Sequence, residues 1–252
     1  MTFNKRIEKL NQLIAESENI VFFGGAGVST ESGIPDFRSK DGLYNQHDVN
    51  FENYSPEYLL SFTCLHHDPK VFYEFYRQKL DCRNIEPNIT HKVLADMEQK
   101  GKLSAIITQN IDGLHQKAGS KEVYEIHGTT MKNYCMKCGK RYSVDHIFDS
   151  DEKIPLCKCG GRIRPDVTLY EENLPKDAWN NAEEALFESD LVIVGGTSLS
   201  VYPASELIAY RGFYNHNNKK YVFINKDETE YDYIADLIFH ESLGEVFSKI
   251  KY

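Results

Sequence analysis

A short apolar run that leads into a glycine-rich loop constrains this chain more than any other feature, and the segment from Phe22 to Arg38 has the sequence FFGGAGVSTESGIPDFR. The apolar residues at 20–23 predict a buried strand. The glycines that follow let the backbone approach a bound group, so that backbone N–H groups donate to phosphate oxygens. The loop positions expected to do this are Gly25, Ala26 and Gly27. The segment therefore predicts a phosphate-binding loop, with a dinucleotide as the first ligand to consider.

The spacing of these glycines differs from the G-x-G-x-x-G fingerprint of common dehydrogenases. The third position is Thr30, and the next glycine is Gly33. Phe37 and Arg38 follow, which places an aromatic ring and a guanidinium beside the loop. A glycine-rich loop after a strand is equally compatible with a plain tight turn. The choice of ligand therefore depends on other segments of the chain.

Short apolar runs alternate with helical patterns along the chain, which is typical of a parallel sheet with helices on both faces. The predicted strands are 20–23, 103–108, 123–126, 191–195, 221–225 and 237–239. Two stretches do not fit this alternation: 39–82 is aromatic and helix-like, and 129–167 contains four cysteines. We therefore predict an α/β fold, in which a Rossmann-like parallel sheet domain carries a smaller inserted domain.

The four cysteines of the second stretch have the spacing C-x2-C-x18-C-x-C and are Cys135, Cys138, Cys157 and Cys159. Each pair is followed by a glycine, Gly139 or Gly160, which relieves the backbone where the chain turns. Four thiolates on two tight turns suit tetrahedral zinc, and such a site is structural because no ligand position stays open for substrate. Two disulfides or unpaired buried cysteines are the alternatives, and the lack of an export signal disfavours the disulfides. Cys64 and Cys82 lie outside the pattern and are expected to be buried thiols.

Three further motifs, together with the glycine-rich loop, resemble those of the sirtuins, which are NAD-dependent protein-lysine deacylases. The motifs are TQNIDGLHQKAG at 108–119, EIHGT at 125–129 and GGTSLSVYPA at 195–204. The resemblance extends from about Val21 to Glu245, and several motifs in one order are specific. It implies NAD as co-substrate and an acylated lysine of a protein or peptide as substrate. The implied products are nicotinamide, free lysine and O-acyl-ADP-ribose.

The resemblance also implies a division of the chain, with NAD and an extended peptide bound in a cleft between two domains. On this basis we expect residues 1–38, 83–128 and 168–252 to form the Rossmann-like NAD-binding domain. Residues 39–82 would form a helical module and residues 129–167 a zinc-binding module, which together make the small domain. One structural zinc ion is expected.

His127 is the predicted general base, because imidazole is the side chain whose usual pKa lies near neutrality and because His127 stands in the EIHGT match. In the sirtuin scheme it activates a ribose hydroxyl. Asp112, with the backbone near Ile34, would bind the nicotinamide carboxamide, and Asn110 with Gln109 would hold the ribose and a water. We therefore predict His127, Asn110 and Asp112 as catalytic residues.

By the same resemblance, the residues expected to contact NAD are Gly25, Ala26, Gly27, Ser29, Phe37, Arg38, Gln109, Asn110, Asp112, Gly196, Thr197, Ser198, Asn225 and Lys226. Structural roles are the alternative for several of them. Asp112 would then be a turn residue, Ser198 a helix cap and Asn225 the end of a strand.

The peptide substrate is expected to pair with the segment RPDVTLYEE at 164–172, through Thr168, Tyr170 and Glu171. Sirtuins typically have an aromatic residue followed by Gly-Glu here, so Glu171 replaces a glycine. The added carboxylate favours basic peptides or weakens peptide binding. Tyr76 and Lys79 have the spacing of the Tyr-x-x-Arg pair with which some sirtuins recognise acidic acyl groups, although lysine lacks the two-pronged fit of arginine. A solvated surface charge is the alternative for Lys79, and we predict chiefly deacetylation.

Composition limits the other function classes. The 252 residues are 41% hydrophobic and 27% charged, as in ordinary globular proteins, and the longest apolar runs are too short to cross a bilayer. The amphipathic pattern of residues 7–14 lacks the apolar core of a signal peptide, so we expect a cytoplasmic protein. The net charge of -9 repels nucleic-acid phosphates, although residues 132–164 carry eight basic and four acidic side chains. No direct nucleic-acid binding is expected.

Two other functions stay open at this level. One is a mono-ADP-ribosyltransferase or NAD hydrolase on the same scaffold, which a peptide entrance blocked by Glu171 would favour. The other is a non-catalytic nucleotide-binding zinc protein, against which the complete set of Asn110, Asp112 and His127 argues. Nothing in the sequence specifies an oligomeric state.

Overall fold

The protein contains nine strands, which form two sheets, in the residues that the computed structural model describes, 1–36, 42–43, 51–213 and 219–252. They are β1 (Ile20–Gly24), β2 (Leu103–Thr108), β3 (Val123–Glu125), β4 (Gly128–Cys135), β5 (Arg141–Ser143), β6 (Ile163–Val167), β7 (Leu191–Gly195), β8 (Lys220–Ile224) and β9 (Leu237–Phe239). Six of them form a parallel sheet in the order β3-β2-β1-β7-β8-β9. These six are the apolar runs predicted as strands, and their ends differ from the prediction by at most one residue.

Ten α-helices accompany the sheets in the described residues. They are α1 (Phe3–Glu16), α2 (Pro56–Leu59), α3 (Phe62–His67), α4 (Pro69–Lys79), α5 (Ile89–Gln99), α6 (Leu114–Ala118), α7 (Asp145–Phe148), α8 (Lys176–Glu188), α9 (Glu206–Phe213) and α10 (Leu243–Phe247). No helix in the described ranges is both long and apolar enough to span a membrane.

Helices cover both faces of the six-stranded sheet, because neighbouring residues of a strand point to opposite faces. Phe22 and Ile193 belong to one apolar cluster, which includes residues of α1, α5 and α10. Phe23 and Val194 belong to a second cluster, which includes residues of α8 and α9. Both faces are therefore buried, which explains why the strands are apolar throughout and do not alternate with polar residues.

The two stretches that do not fit the sheet pattern pack against each other. Strands β5, β4 and β6 form a small antiparallel sheet in that order. A third apolar cluster joins it to helices α2, α3, α4 and α7, and the Tyr73 hydroxyl on α4 donates to the Ile163 carbonyl oxygen on β6 (2.8 Å). This unit lies beside the carboxyl ends of the parallel strands. The domain boundaries given above stay a prediction.

The strand order reverses at β1, which lies between β2 and β7. In open parallel sheets, ligands bind outside the carboxyl ends of the strands at such a point, because the loops there diverge and leave a crevice. The glycine-rich loop follows β1, and two of the other motifs follow β2 and β7. The topology thus brings segments that are far apart in the sequence to one crevice.

Candidate functional site

A cleft of about 1250 Å³ opens at this crevice, between the sheet and the smaller unit. On the sheet side it is lined by Ala26, Gly27, Gln109, Asn110, His127, Gly196, Thr197, Ser198, Asn225 and Lys226. On the other side it is lined by Leu60, Leu80, Val167, Thr168, Leu169, Tyr170 and Glu171. Most of the predicted site residues therefore surround one cavity. Phe37 and Arg38 lie outside the residues that the structure describes.

The glycine-rich loop packs directly against the loop that follows β7. The Gly25 N–H donates to the Gly195 carbonyl oxygen (3.3 Å), and the Gly27 N–H donates to that of Gly196 (2.8 Å). A Cβ atom on Gly27 would lie 2.7 Å from the Gly196 Cα atom, so this contact requires glycine. The amides of Gly25 and Gly27 thus bind protein, contrary to the prediction that they donate to phosphate. Ala26 begins a 3-10 helix, where its amide has no acceptor within the helix.

A chain of hydrogen bonds connects Asn110, Ser29 and Asp112 below the cleft. Asn110 Nδ2 donates to Ser29 Oγ (3.0 Å), and Ser29 Oγ donates to Asp112 Oδ2 (2.7 Å). The Leu114 N–H donates to Asp112 Oδ1 (2.9 Å), as expected of a turn residue. Burial raises the pKa of Asp112, while the bonds from Leu114 and Ser29 lower it. Asp112 is therefore a turn residue, and it is also connected to the cleft through Ser29 and Asn110, because Asn110 lines the cleft.

The geometry around His127 fixes which ring nitrogen carries the proton. His127 Nδ1 lies 3.0 Å from the Gln109 carbonyl oxygen, which only accepts, so Nδ1 is the protonated nitrogen. The neutral ring then has its lone pair on Nε2. Burial lowers the pKa of His127, and the bond to Gln109 raises it to a lesser extent. The backbone is also held, because the Thr168 N–H donates to the His127 carbonyl oxygen (2.8 Å).

Other histidines that the structure describes do not compete for this position. His91 and His115 are buried against each other, with ring centroids 4.7 Å apart, on the helices α5 and α6. Neither lines the cleft, and burial lowers the pKa of His91 to about 4. Of the described histidines, His127 is the one that lines the cleft.

Gln109, Thr197 and Asn225 form a second polar group, at the ends of β2, β7 and β8. Gln109 Nε2 donates to Thr197 Oγ1 (2.9 Å), and the Thr197 N–H donates to Asn225 Oδ1 (2.9 Å). Asn225 Nδ2 is buried and finds no acceptor among the described residues. Ser198 is exposed and its Oγ lies 2.7 Å from that of Ser200, which does not match the helix-cap alternative. An unsatisfied buried donor beside a cleft suits a ligand hydroxyl.

The residues predicted for the acyl group are not at the cleft. Tyr76 is fully buried in the apolar cluster of the smaller unit, and its ring stacks on those of Phe72 and Phe148. Lys79 is half-buried at the last turn of α4. Neither residue lines the cleft, whereas Leu80, directly after them, does. Helical spacing alone did not reveal that the Tyr76 side chain faces the core.

The four predicted zinc ligands come together at one end of the small sheet. Their Sγ atoms all lie within 4.8 Å of one another, with Cys135 and Cys159 3.5 Å apart and Cys138 and Cys157 3.7 Å apart. Zn–S bonds of about 2.3 Å in a tetrahedron place sulfurs about 3.8 Å apart, so the arrangement fits one zinc ion. The distances exclude the disulfide alternative, since an S–S bond is about 2.05 Å long.

The predicted reason for the two glycines in this segment is also confirmed. Gly139 and Gly160 have φ angles of 71° and 79°, in the left-handed region that glycine adopts without penalty. Cys64 and Cys82 are free and buried, as expected. Burial raises the pKa of each of these two thiols to about 12, so they are unreactive near neutrality.

Several cleft residues had no predicted role. Thr30, Glu31, Val201, Tyr202 and Ser242 line the cleft. The Gly244 N–H donates to Glu31 Oε2 (2.8 Å), which connects the glycine-rich loop to the last helix. Tyr202 belongs to the GGTSLSVYPA motif and is 75% exposed, and this exposure is visible only in the structure. Glu31 and Tyr202 each lie within a motif quoted above, and this position was the one sequence feature that could have identified them as cleft residues.

The fold and the cleft define the class of this protein: an α/β nucleotide-binding protein with a thiolate metal module. The model of the Sir2 family matches residues 25–203. The chain is 50% identical over 246 residues to the NAD-dependent protein deacetylase of Clostridium acetobutylicum, which covers 97% of this chain and 98% of that protein. It is 48% identical over 245 residues to the NAD-dependent protein deacetylase of Cutibacterium acnes, with 97% of each covered.

Solved structures are similar over nearly the whole chain. A Sir2 with a deacetylated p53 peptide and 3'-O-acetyl ADP ribose matches with a TM-score of 0.86 and 37% identity, over 96% of both chains. A Sir2 with a p53 peptide and NAD+ matches with a TM-score of 0.83 and 38% identity, also over 96% of both. The chain belongs to the Sir2 family, which confirms the resemblance seen in its motifs.

Proposed function

We propose that this protein is an NAD-dependent protein-lysine deacetylase that produces nicotinamide, free lysine and O-acyl-ADP-ribose. The observation that carries this proposal is the position of His127. Its protonated nitrogen is held by the Gln109 carbonyl, and its ring lines a cleft that also contains the predicted nucleotide contacts. The relatives named NAD-dependent protein deacetylases and the Sir2 structure with NAD+ support it.

The cleft residues fit NAD. The Asn225 amide offers a buried donor for a ribose hydroxyl, and Thr197, Ser198 and Lys226 lie beside it along the cleft. Ala26 lies at the closely packed loops after β1 and β7, where a pyrophosphate would lie. When bound, NAD supplies the ribose carbon from which nicotinamide leaves and the hydroxyl that receives the acyl group. The contacts of Phe37 and Arg38 with NAD are part of the same proposal, and Gly25 and Gly27 would contribute close approach of the backbone and not their N–H groups, which already have acceptors.

His127 acts as general base in this proposal. Because burial lowers its pKa, the imidazole is neutral at pH 7 and Nε2 accepts a proton. The Gln109 carbonyl fixes the tautomer and stabilises the positive charge that develops on the ring. The bond from the Thr168 N–H to the His127 carbonyl joins the base to the segment proposed to pair with the peptide.

Asn110 and Asp112 act as one unit through Ser29. Ser29 donates to Asp112 and accepts from Asn110, so the Asn110 amide has one orientation. This supports the proposed roles of Asn110 at the ribose and of Asp112 at the nicotinamide carboxamide. The zinc ion is structural, since four thiolates fill its coordination shell and hold the end of the small sheet.

The proposed substrate is an acetylated lysine in an extended peptide that contacts Thr168, Tyr170 and Glu171. The positions of Tyr76 and Lys79 away from the cleft support acetyl over acidic acyl groups. Faster turnover of a succinylated peptide, lost in Lys79→Ala, would contradict this preference. A cytoplasmic location stays a prediction, and fractionation of cells that express the protein would test it.

The test is nicotinamide release from NAD, with and without an acetyl-lysine peptide. Steady-state release should require the peptide and fall about 10²- to 10⁴-fold in His127→Ala, the usual contribution of a general base, because His127 acts in the acyl transfer that completes each turnover. His67→Ala removes an exposed histidine at the end of α3 and is the matched control. Release without peptide would instead support the transferase or hydrolase alternative. Unchanged NAD with every acyl peptide would support a non-catalytic protein.

A further inference from the structure

Hydrogen bonds join the segment 60–63 to residues 170–171, which follow strand β6, on one wall of the cleft. Two are between backbone groups: the Tyr170 N–H donates to the Leu60 carbonyl oxygen (3.0 Å), and the Phe62 N–H donates to that of Tyr170 (3.1 Å). Two more end on one carboxylate oxygen, since Glu171 Oε2 accepts from the Thr63 N–H (3.0 Å) and from Thr63 Oγ1 (2.7 Å). The backbone pair is independent of the residue at 171, whereas the second pair requires a side chain with an acceptor.

The backbone of Glu171 adopts a conformation that side chains disfavour. Its φ angle is 76°, in the left-handed region where a Cβ atom crowds the backbone. Among the described residues, Leu199 is the other non-glycine residue with a positive φ. Glycine would adopt this angle without a penalty. Such strain persists where surrounding contacts compensate for it, and the two bonds to Thr63 are contacts of this kind.

The Glu171 carboxylate also completes the start of α3. Helix starts leave backbone N–H groups without partners inside the helix. Ser61 Oγ accepts from the Cys64 N–H (2.9 Å), and Glu171 accepts from the Thr63 N–H. The neighbouring Glu172 turns the other way and binds Arg164. Glu171 is therefore the acidic residue that connects α3 to the segment after β6.

We propose that Glu171 is a positioning residue for the peptide substrate. By binding Thr63 to the segment after β6, its carboxylate holds Leu60 and Tyr170, which line the cleft, in the arrangement that accepts an extended peptide. This inference rests on the deacetylase function proposed above. The Glu171 carboxylate acts through Thr63 and does not touch the reacting atoms, while the Glu171 backbone belongs to the segment proposed to pair with the peptide.

Steady-state kinetics with an acetyl-lysine peptide at saturating NAD test this role. Glu171→Gly should raise KM about three- to tenfold, the effect of losing one or two ordinary hydrogen bonds, with kcat within about twofold. Glu171→Gln keeps an acceptor oxygen and should change KM less than about twofold. Thr63→Val removes the hydroxyl alone and should give an intermediate KM. Added to Glu171→Gly it should have no further effect, because the two residues act as one contact.

Hydrogen exchange without substrates gives a readout that does not depend on activity. The Thr63 amide should exchange faster in Glu171→Gly than in the wild type, while the melting temperature does not fall, because glycine relieves the backbone strain. If the wild type does not deacetylate, the proposed function fails, whereas faster exchange still supports the contact. Unchanged exchange, unchanged KM or additive effects of the two substitutions would overturn the proposal. So would an equal rise in KM for Glu171→Gln confined to basic peptides, since the carboxylate would then recognise peptide charge.

Discussion

The two sheets of this protein are stabilised by different means. The six-stranded sheet is buried on both faces by two large apolar clusters, and its strands β1, β7 and β8 are almost entirely inaccessible to solvent. In the three-stranded sheet, β5 is largely exposed, and four cysteines stand at the end away from the cleft loops. The third apolar cluster packs the helices of the small unit against this sheet, and a metal ion on the four thiolates would cross-link the two turns at its end.

This difference affects how the cleft is built. On the sheet side, polar groups are fixed by one another, as in the chain from Asn110 through Ser29 to Asp112. On the other side, the cleft residues belong to a unit held by zinc and by individual contacts such as that of Glu171 with Thr63. The sheet side should therefore tolerate loss of the metal, and the peptide side should not.

Removal of one zinc ligand should have the largest effect. Structural zinc contributes about 10–16 kcal/mol of apparent binding energy, so Cys135→Ser should reduce the zinc content from about one ion per chain to near zero and abolish deacetylation. Zinc analysis would report on the small unit, and far-UV circular dichroism would report on whether the six-stranded sheet stays folded. Cys82→Ser, at a buried thiol outside the cluster, should keep its zinc. Full activity in Cys135→Ser that has lost its zinc would show that the small sheet does not depend on the metal, and full zinc content would show that Cys135 is not a required ligand.

A cavity in the sheet core should give the next largest effect. Ile193 is fully buried in the first apolar cluster, and Ile193→Ala should lower the free energy of unfolding by about 2–5 kcal/mol. The zinc content of the folded protein should not change, because the substitution lies in the other region. Urea denaturation would measure the loss, with the exposed Tyr233→Ala as control at less than about 0.5 kcal/mol. Loss of zinc in folded Ile193→Ala would show that the regions are not independent.

The pH dependence of the reaction should reflect the sheet side of the cleft. In the proposed mechanism the active form of His127 is neutral, and burial lowers its pKa below the usual 6.5. Activity should therefore be constant above pH 6.5 and fall about tenfold per pH unit below the lowered pKa. Initial rates on peptide, with circular dichroism to confirm that the protein stays folded, would show this acid limb. An acid limb centred above pH 6.5 would contradict the assigned environment of His127.

The smallest effect is expected at a surface contact between the two inserted segments. Arg83 bonds Asp81, Asp145 (3.0 Å) and Asp149 (2.7 Å), and it lies over the ring of Phe148. Because the carboxylates of Asp145 and Asp149 are largely exposed, Arg83→Gln should lower the free energy of unfolding by less than about 1 kcal/mol, and less in high salt. Lys100→Gln breaks an exposed pair on α5 and is the matched control. A loss well above that of Lys100→Gln would show that this contact helps to hold the small unit.

Much of the fold follows from local patterns in the sequence. The six apolar runs became the six parallel strands, because a strand buried on both faces has to be apolar at successive positions. The spacing of Cys135, Cys138, Cys157 and Cys159 predicted the thiol cluster, since each pair lies on one tight turn. His127 was identified from its motif, which directly follows a strand. In each case the signal lies within a few neighbouring residues.

Contacts between residues far apart in the sequence were decided by the tertiary structure. The amides of Gly25 and Gly27 donate to carbonyls of Gly195 and Gly196, and no local pattern indicates that the loops after β1 and β7 touch. Ser29 joins Asn110 to Asp112 for the same reason. Tyr76 faces the core because of how α4 is oriented, which its spacing from Lys79 does not specify.

At Glu171, both the local sequence and the tertiary structure contribute to the role of one residue. The sequence determined that an acidic side chain stands at the peptide segment, and the chain path determined that Thr63 lies within reach of it. The same holds for the whole protein: periodicity and motif spacing determined the strands, the thiol cluster and the proposed base. Packing of distant segments determined which amides, hydroxyls and carboxylates are already paired, because hydrogen-bond partners depend on distances in space and not on separation along the chain.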